Sequence, residues 1–338
     1  METKILQDCA TDLLEAATLL RNGNVVGIPT ETVYGLAADA TNSDAVRQIF
    51  AAKGRPADNP LIIHIAEIDQ LYKVASDVPP LAQKLAKQFW PGPLTIILPK
   101  SPNIPSVTSG GLDTVGIRMP SHTVARALIR LSNCVLAAPS ANRSGYPSPT
   151  TAEHVYRDMC GKIAAVLDGG VCDVGIESTV LTLEGENDVR ILRPGAVTAE
   201  MLKKVVPNVT IDNAVLHQLE NGKTAKSPGM KYQHYSPKAK ITLVKGSLEH
   251  FTSWISQQQN DTGVYALVFD GEEKFISVPC LTYGIDSKEQ AQQVFAKLRE
   301  FDDIGANYVY VHAPIADGIG LAVYNRLIRA AGFEVIQV

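Results

Sequence analysis

Residues 24–36 read Asn-Val-Val-Gly-Ile-Pro-Thr-Glu-Thr-Val-Tyr-Gly-Leu, an apolar run followed by a polar turn. The apolar part, Asn24–Ile28, is short and bounded by Gly23 and Pro29, which predicts a buried strand. Past Pro29 come two hydroxyls (Thr30 and Thr32), a carboxylate (Glu31) and a phenol (Tyr34) before the chain turns back at Gly35. Polar groups just beyond a strand end commonly form sites in α/β sheets, and this set suits an amino acid. The plainer alternative is a turn in which Thr30 caps a following helix.

Upstream, the spacing of apolar residues predicts a helix from Ala10 to Asn22 that stops at Gly23. Downstream, helices are predicted at Ser43–Ala52, Leu81–Phe89, Thr123–Leu131 and Thr151–Met159. Strands are predicted at Leu61–Ala66, Leu94–Leu98 (after the Pro91-Gly92-Pro93 corner), Val115–Arg118, Val135–Ala138, Ala165–Asp168 and Ser178–Leu183. The two kinds interleave without a strict beat, so a mixed open α/β sheet is expected rather than a doubly wound one. After Arg193-Pro194-Gly195 the character changes. A short helix and strand reach Ile211, and residues 221–240 (NGKTAKSPGMKYQHYSPKAK) then carry five lysines and no acid in a chain of net charge −4. That composition reads as a linker. Beyond it strand and helix alternate regularly: strands Ile241–Val244, Val264–Phe269, Tyr308–His312 and Glu334–Val338, helices near His250–Gln258, Lys288–Arg299 and Leu321–Ala330. This is the pattern of a small parallel-sheet, Rossmann-like domain. The expected division is 1–206, a linker at 207–240, and 241–338.

Gross properties agree with two globular domains. The 338 residues exceed what one core usually serves, and 45% hydrophobic with 20% charged residues is ordinary for a folded protein. A net charge of −4 does not advertise a nucleic-acid or membrane binder, so any RNA partner would need a local patch. The start, METKILQDCATDLLEAATLL, is acidic and amphipathic, which fits a first helix and not a signal peptide. No apolar run approaches the roughly 20 residues of a membrane span. The five cysteines are scattered, odd in number and never C-x-x-C, as expected of reduced thiols in a cytoplasmic protein without a zinc site. The seven histidines show no metal-ligand spacing, and no metal site is expected from the protein. Both glycine motifs fail as nucleotide loops. Gly222-Lys223-Thr224 ends like a P-loop, but the first glycine would fall on His217. Gly318-Ile319-Gly320 has Val323 where the dinucleotide fingerprint needs a small residue, so it reads as a helix start.

Several clusters remain. Lys53-Gly54-Arg55-Pro56 offers a point charge and a guanidinium fork, suited to polyphosphate; the alternative is a solvated pair at a helix C-terminus. Ser140-Ala141-Asn142-Arg143-Ser144-Gly145, with Ser148 and Thr150 beyond, presents small polar side chains and backbone N–H groups that phosphate oxygens accept from. An ordinary loop has the same look. Arg118 ends a strand and needs a carboxylate, either a substrate's or an internal one. Glu177-Ser178-Thr179-Val180 and Arg193-Pro194-Gly195 add polar groups at strand edges. His64 lies in an apolar strand and reads as a core histidine. Together these put cations and hydroxyls at strand ends of one sheet, as a multi-substrate cleft requires.

The motifs PTETVYGL, KGRP, GIRMP, PSAN-x-SG, ESTV and RPG, in this order, resemble the YrdC-type domain. With Ser227–Pro237 (SPGMKYQHYSP) and the C-terminal α/β domain, the whole chain resembles the two-domain threonylcarbamoyl-AMP synthases. The resemblance implies that L-threonine, bicarbonate and ATP give threonylcarbamoyl-AMP and pyrophosphate, feeding a downstream tRNA threonylcarbamoyl transferase complex. Direct tRNA contact is not required. It also implies catalytic roles on the nucleotide for Lys53, Arg55, Ser140 and Asn142, and ATP contacts from Asn59, Ser148 and Arg193. Threonine contacts are implied for Thr32, His64, Arg118, Ala138 (through its backbone) and Ser178, which replaces the core reading of His64. Lys231, Tyr232 and His234 of the linker are expected over the triphosphate, closing the site, with Mg²⁺ accompanying ATP. Two rivals are an RNA-binding module and a carbamoyltransferase of the hydrogenase-maturation kind. The latter is expected to carry zinc-finger parts, and this chain has no C-x-x-C.

Overall fold

Val26–Ile28 is a strand with every residue buried. A side chain at Gly27 would put its Cβ 2.8 Å from Val155 Cγ1, so only glycine lets the helix behind the strand approach. The strand pairs antiparallel with Gly35–Asp39, and residues 29–34 cross between the two. In this computed structural model, residues 2–217, 235–258 and 262–338 are described. Lys231, Tyr232 and His234, and with them the expected covering segment, lie outside the described residues.

The chain forms two units: 2–144 with 148–215, and 235–338 with 145–147 and 216–217. Eleven strands of the first unit are described: β1 (Lys4–Leu6), β2 (Val26–Ile28), β3 (Gly35–Asp39), β4 (Ile62–His64), β5 (Leu94–Pro99), β6 (Thr114–Arg118), β7 (Leu136–Ala137), β8 (Ala165–Leu167), β9 (Thr179–Leu183), β10 (Asp188–Arg193) and β11 (Asn208–Ile211). Their order is β1-β8-β2-β3-β7-β4-β6-β5-β9-β10-β11. Pairs β1/β8, β2/β8, β4/β6, β5/β9 and β10/β11 are parallel and the rest antiparallel, the mixed sheet expected from the irregular beat.

Alternation along the strands sorts side chains into layers. Leu36, Ile63, Ile96, Ile117 and Leu181 join the main core with Ile49 and Leu85. Their neighbours Ile62, Ile97, Val180 and Leu192 form a small cluster of their own. Each Leu or Ile so buried stabilises the unit by about 1.5–3 kcal/mol. The helix Ser43–Lys53 has a physical start and stop. Asn42 caps it by accepting from Asp44 N and Ala45 N, and Gly54 ends it in the left-handed region at φ 62°.

The second unit has five described strands, β12 (Lys240–Lys245), β13 (Val264–Val268), β14 (Cys280–Thr282), β15 (Tyr308–His312) and β16 (Val335–Gln337). They run in the order β14-β13-β15-β12-β16, every pair parallel. Helices Leu248–Ile255, Ser287–Asp303 and Gly318–Ala330 join them, so the Rossmann-like expectation holds.

Strands β1, β3, β10 and β14 were not anticipated. β1 precedes the helix Ala10–Arg21, in a stretch for which no strand was expected. Its Lys4 and Ile5 are exposed, and among the described strands it pairs only with β8, so no periodic signal marks it. Gly35-Leu-Ala-Ala-Asp39 has poor strand propensity; tertiary packing makes it one. The helix that Thr30 was to cap does not form. Thr30 instead donates to Val33 O at 2.6 Å and accepts from Thr32 N at 3.2 Å, closing the crossing turn on itself.

Candidate active site

The turn at residues 29–34 is tied on several sides. Tyr34 N donates to Pro149 O, Ala141 N to Tyr34 O, and Val174 N to Glu31 O. Tyr34's hydroxyl donates to Gly170 O at 2.7 Å and accepts from Gly169 N at 3.2 Å. Burial pushes this phenol above its ordinary range, so it remains a neutral strut. Thr30's proton goes to Val33 O, so the 2.9 Å contact between hydroxyls has Thr32 donating to Thr30.

Arg118, the last residue of β6, reaches this turn. Its Nη1 donates to Thr32 Oγ1 at 2.8 Å, and its Nη2 stands 2.7 Å from Glu31 Oε1. Of the two carboxylates open to Arg118, the internal one is present, on the Nη2 side of the guanidinium. Both side chains are about 5% exposed or less. Nε and Nη2 of Arg118 and both oxygens of Glu31 have no hydrogen-bond partner among the described residues. Burial opposes charge on Glu31, but Arg118 outweighs it and holds the carboxyl below its usual range.

His64 ends β4 and is paired in register with Arg118. It is buried, with Nδ1 3.3 Å from Ile62 O. Burial first and Arg118's charge second push it down to about 3, so the imidazole is neutral. On the far side of β6, register places Thr95 of β5 opposite Arg118. Thr95 and Ser178 exchange a hydroxyl hydrogen bond at 2.8 Å. Arg193, at the end of β10, donates from Nε to Ser178 O and from Nη2 to Ser178 Oγ, both at 3.1 Å. The turn after it depends on glycine: a Cβ on Gly195 would stand 2.4 Å from Thr179 N.

A second set gathers around Lys53. The lysine is buried, not solvated, and its ammonium donates to the carbonyls of Ser140 and Asn142. Ser140 Oγ donates to Asn142 Oδ1 at 2.6 Å, and Asn142 Nδ2 to Arg143 O at 2.8 Å. Ser144 N returns a bond to Lys53 O. The ammonium and the small polar side chains thus form one preformed loop. Gly35 bridges Ser140 and Leu36 N donates to Pro139 O, so this loop extends β7 along β3, while Ala138 N donates to Ile62 O of β4 at 3.0 Å. Ser148 donates to Glu177 Oε1, joining the loop to the ESTV stretch. Asn59 is 1% exposed, and neither side-chain amide atom has a hydrogen-bond partner among the described residues. The close approach of Gly110, φ 60°, holds the Asp58–Pro60 backbone beside it. Arg55 follows the Gly54 cap and is half-buried.

Of the expected residues, Thr32, His64 and Arg118 come together, Ser178 joins Arg193, and Lys53, Ser140 and Asn142 join each other. Thr95 was not singled out, and Glu31 and Glu177 were marked only as members of their clusters, without a role of their own. Thr95 is the one hydroxyl within the apolar strand β5, and a buried polar position of that kind is the signal for it. Glu31 and Glu177 sit inside motifs already marked, but nothing local says which cation or hydroxyl each one meets.

The family profile described as Telomere recombination (Sua5, YciO and YrdC) matches residues 18–195, and that described as Threonylcarbamoyl-AMP synthase, C-terminal domain, matches residues 197–332. The threonylcarbamoyl-AMP synthase of Pyrococcus abyssi is 45% identical over 331 residues, covering 96% of this chain and 95% of that protein. This chain belongs to the threonylcarbamoyl-AMP synthase family. The Bacillus subtilis threonylcarbamoyl-AMP synthase is 44% identical over 331 residues, 96% of this chain and 94% of its own length. The crystal structure of Pyrococcus abyssi Sua5 complexed with L-threonine has a similar fold, with a TM-score of 0.93, 41% identity and 100% of each chain covered.

Proposed function

We propose that this chain is an L-threonylcarbamoyladenylate synthase, a nucleotidyltransferase that condenses L-threonine, bicarbonate and ATP to threonylcarbamoyl-AMP and pyrophosphate for tRNA modification. The observation that carries it is the buried Arg118, oriented by Thr32 and Glu31 beside the neutral His64, in a chain 45% identical to a threonylcarbamoyl-AMP synthase over 96% of its length. A guanidinium with buried N–H groups short of acceptors suits an amino-acid carboxylate. In this reading Thr32, His64, Arg118, Ser178 and the Ala138 backbone hold threonine.

The free amine attacks the bicarbonate carbon and water leaves, giving an N-carboxylate whose oxygen attacks the α-phosphorus as pyrophosphate leaves. Negative charge gathers on the attacking and leaving oxygens, and preorganised cations and N–H groups lower that barrier. Arg55 supplies a fork to the phosphates. Lys53 holds the Ser140–Asn142 loop in shape and sets its positive charge beneath it, which supports a catalytic role for all three. Ser148 and Arg193 complete the ATP contacts. The amide of Asn59, without a hydrogen-bond partner among the described residues, fits the same site, since a nucleotide offers both a donor and an acceptor and relieves about 1–3 kcal/mol of unmet hydrogen bonding. Mg²⁺ belongs to the nucleotide substrate. Among the described residues no group of three or more His, Cys, Asp or Glu side chains could hold a metal ion.

Lys231, Tyr232 and His234 are assigned to the cover over the triphosphate, and a tRNA threonylcarbamoyl transferase complex to the next step. No described helix is long and apolar enough to cross a membrane. A cytoplasmic location belongs to this reading, on the grounds of five free cysteines without C-x-x-C spacing. The deciding experiment is pyrophosphate release from ATP and bicarbonate with and without L-threonine. Strict dependence on threonine is expected, and release indifferent to threonine overturns the assignment.

A further inference from the structure

We propose that Glu31 is a positioning residue that makes the amino-acid site select a zwitterion over a plain carboxylate, by balancing the buried charge of Arg118 and fixing its guanidinium. This rests on the reading of Arg118, His64, Thr32 and Ser178 as the threonine site. The ion pair at its centre is Arg118 against Glu31, 2.7 Å apart and both buried. With His64 neutral, the buried charges of this pair sum to zero. A buried site of zero net charge takes in a zwitterion without creating net charge, whereas a ligand that is only a carboxylate leaves one uncompensated negative charge. Burying an unbalanced charge is strongly disfavoured. Removing Glu31's charge inverts the balance: a plain carboxylate then closes the site to zero, and a zwitterion leaves it positive. Specificity here is a difference of two affinities set by one carboxylate that touches Arg118 rather than the ligand. The same contact also fixes the guanidinium. Nη1 is held by Thr32 and Nη2 by Glu31, which leaves Nε without a hydrogen-bond partner among the described residues.

The test is calorimetric binding of L-threonine and of 3-hydroxybutanoate, the same carbon skeleton without the amine. It uses the full chain near neutral pH without ATP or bicarbonate. Wild type is expected to prefer threonine by about tenfold or more. Glu31→Gln is expected to weaken threonine and tighten 3-hydroxybutanoate, so that the ratio falls at least about tenfold and approaches or passes unity. Glu31→Asp, which keeps the charge, should retain the wild-type preference at reduced affinity. A merely structural role would weaken both ligands together. An unchanged ratio in folded Glu31→Gln overturns the proposal. If that variant does not fold, the wild-type comparison still decides: 3-hydroxybutanoate binding as tightly as threonine overturns it. Wild type that binds no threonine at all would instead remove the underlying site assignment.

Discussion

His64 carries a pH signature at the scale of one residue. Its folded value is about 3 against an ordinary 6.5, so on acidification the unfolded chain takes the proton first. Stability is therefore full above about 6.5, falls as pH drops, and levels near 3, where the folded form protonates too. Between pH 6.5 and 5 this one group should cost ~2 kcal/mol. Urea denaturation at the two pH values measures it, and His64→Asn should flatten the difference. Glu31, held below the usual carboxylate range, adds a loss of the same sign at lower pH, below its ordinary 4.5. Lys53 and Arg55 should separate in another way. Lys53→Met removes charged hydrogen bonds to two loop carbonyls, so it should lower stability by about 2–3 kcal/mol together with turnover. Arg55→Ala should cut pyrophosphate release by about 10²-fold or more while the melting temperature stays within a few degrees. An Arg55→Ala enzyme of wild-type rate would contradict the phosphate role.

Elements place these residues, and the joint between β9 and β10 is the most exacting. Register between the strands shifts between Ile191 and Arg193, and this irregularity swings Arg193 toward Ser178. Gly195 then packs its backbone against Thr179. Gly195→Ala sets a methyl group 2.4 Å from Thr179 N, against backbone that cannot step aside alone. It should destabilise the first unit by about 1–3 kcal/mol and weaken threonine binding in the same variant, read by urea denaturation and calorimetry. A loss of stability with unchanged threonine affinity would separate this joint from the amino-acid site. The helix Ser43–Lys53 was legible in its ends: Asn42 before it and Gly54 after it are the residues that capping chemistry requires. Strand β3 was not legible, because its Gly and Ala residues carry no strand signal and are chosen to fit between β2 and β7.

At the scale of the whole molecule, two sheets of different type each close their own core. In the second, Phe251, Ile255, Ala266 and Val268 are buried around Val244. A fragment comprising residues 235–338 should therefore fold by itself, with α/β far-UV circular dichroism and a cooperative urea transition. A fragment without cooperativity would show that this core is incomplete. The sequence by itself determined the mixed and the parallel sheet, through the irregular and regular beats of strand and helix. It also marked the residue types of the candidate site, since Arg118 ends a predicted strand, Thr32, Ser140 and Asn142 follow strands, Lys53 and Arg55 follow a helix, and Ser178 opens a strand. Those properties are local, and local pattern is what a sequence displays. Tertiary structure alone decided the partnerships: Arg118 with Glu31, Thr95 with Ser178 across 83 residues, and Lys53 with two carbonyls of a distant loop. A buried charge takes whichever opposite group the fold delivers to it, and that delivery depends on strand order and register, which no single stretch of sequence contains.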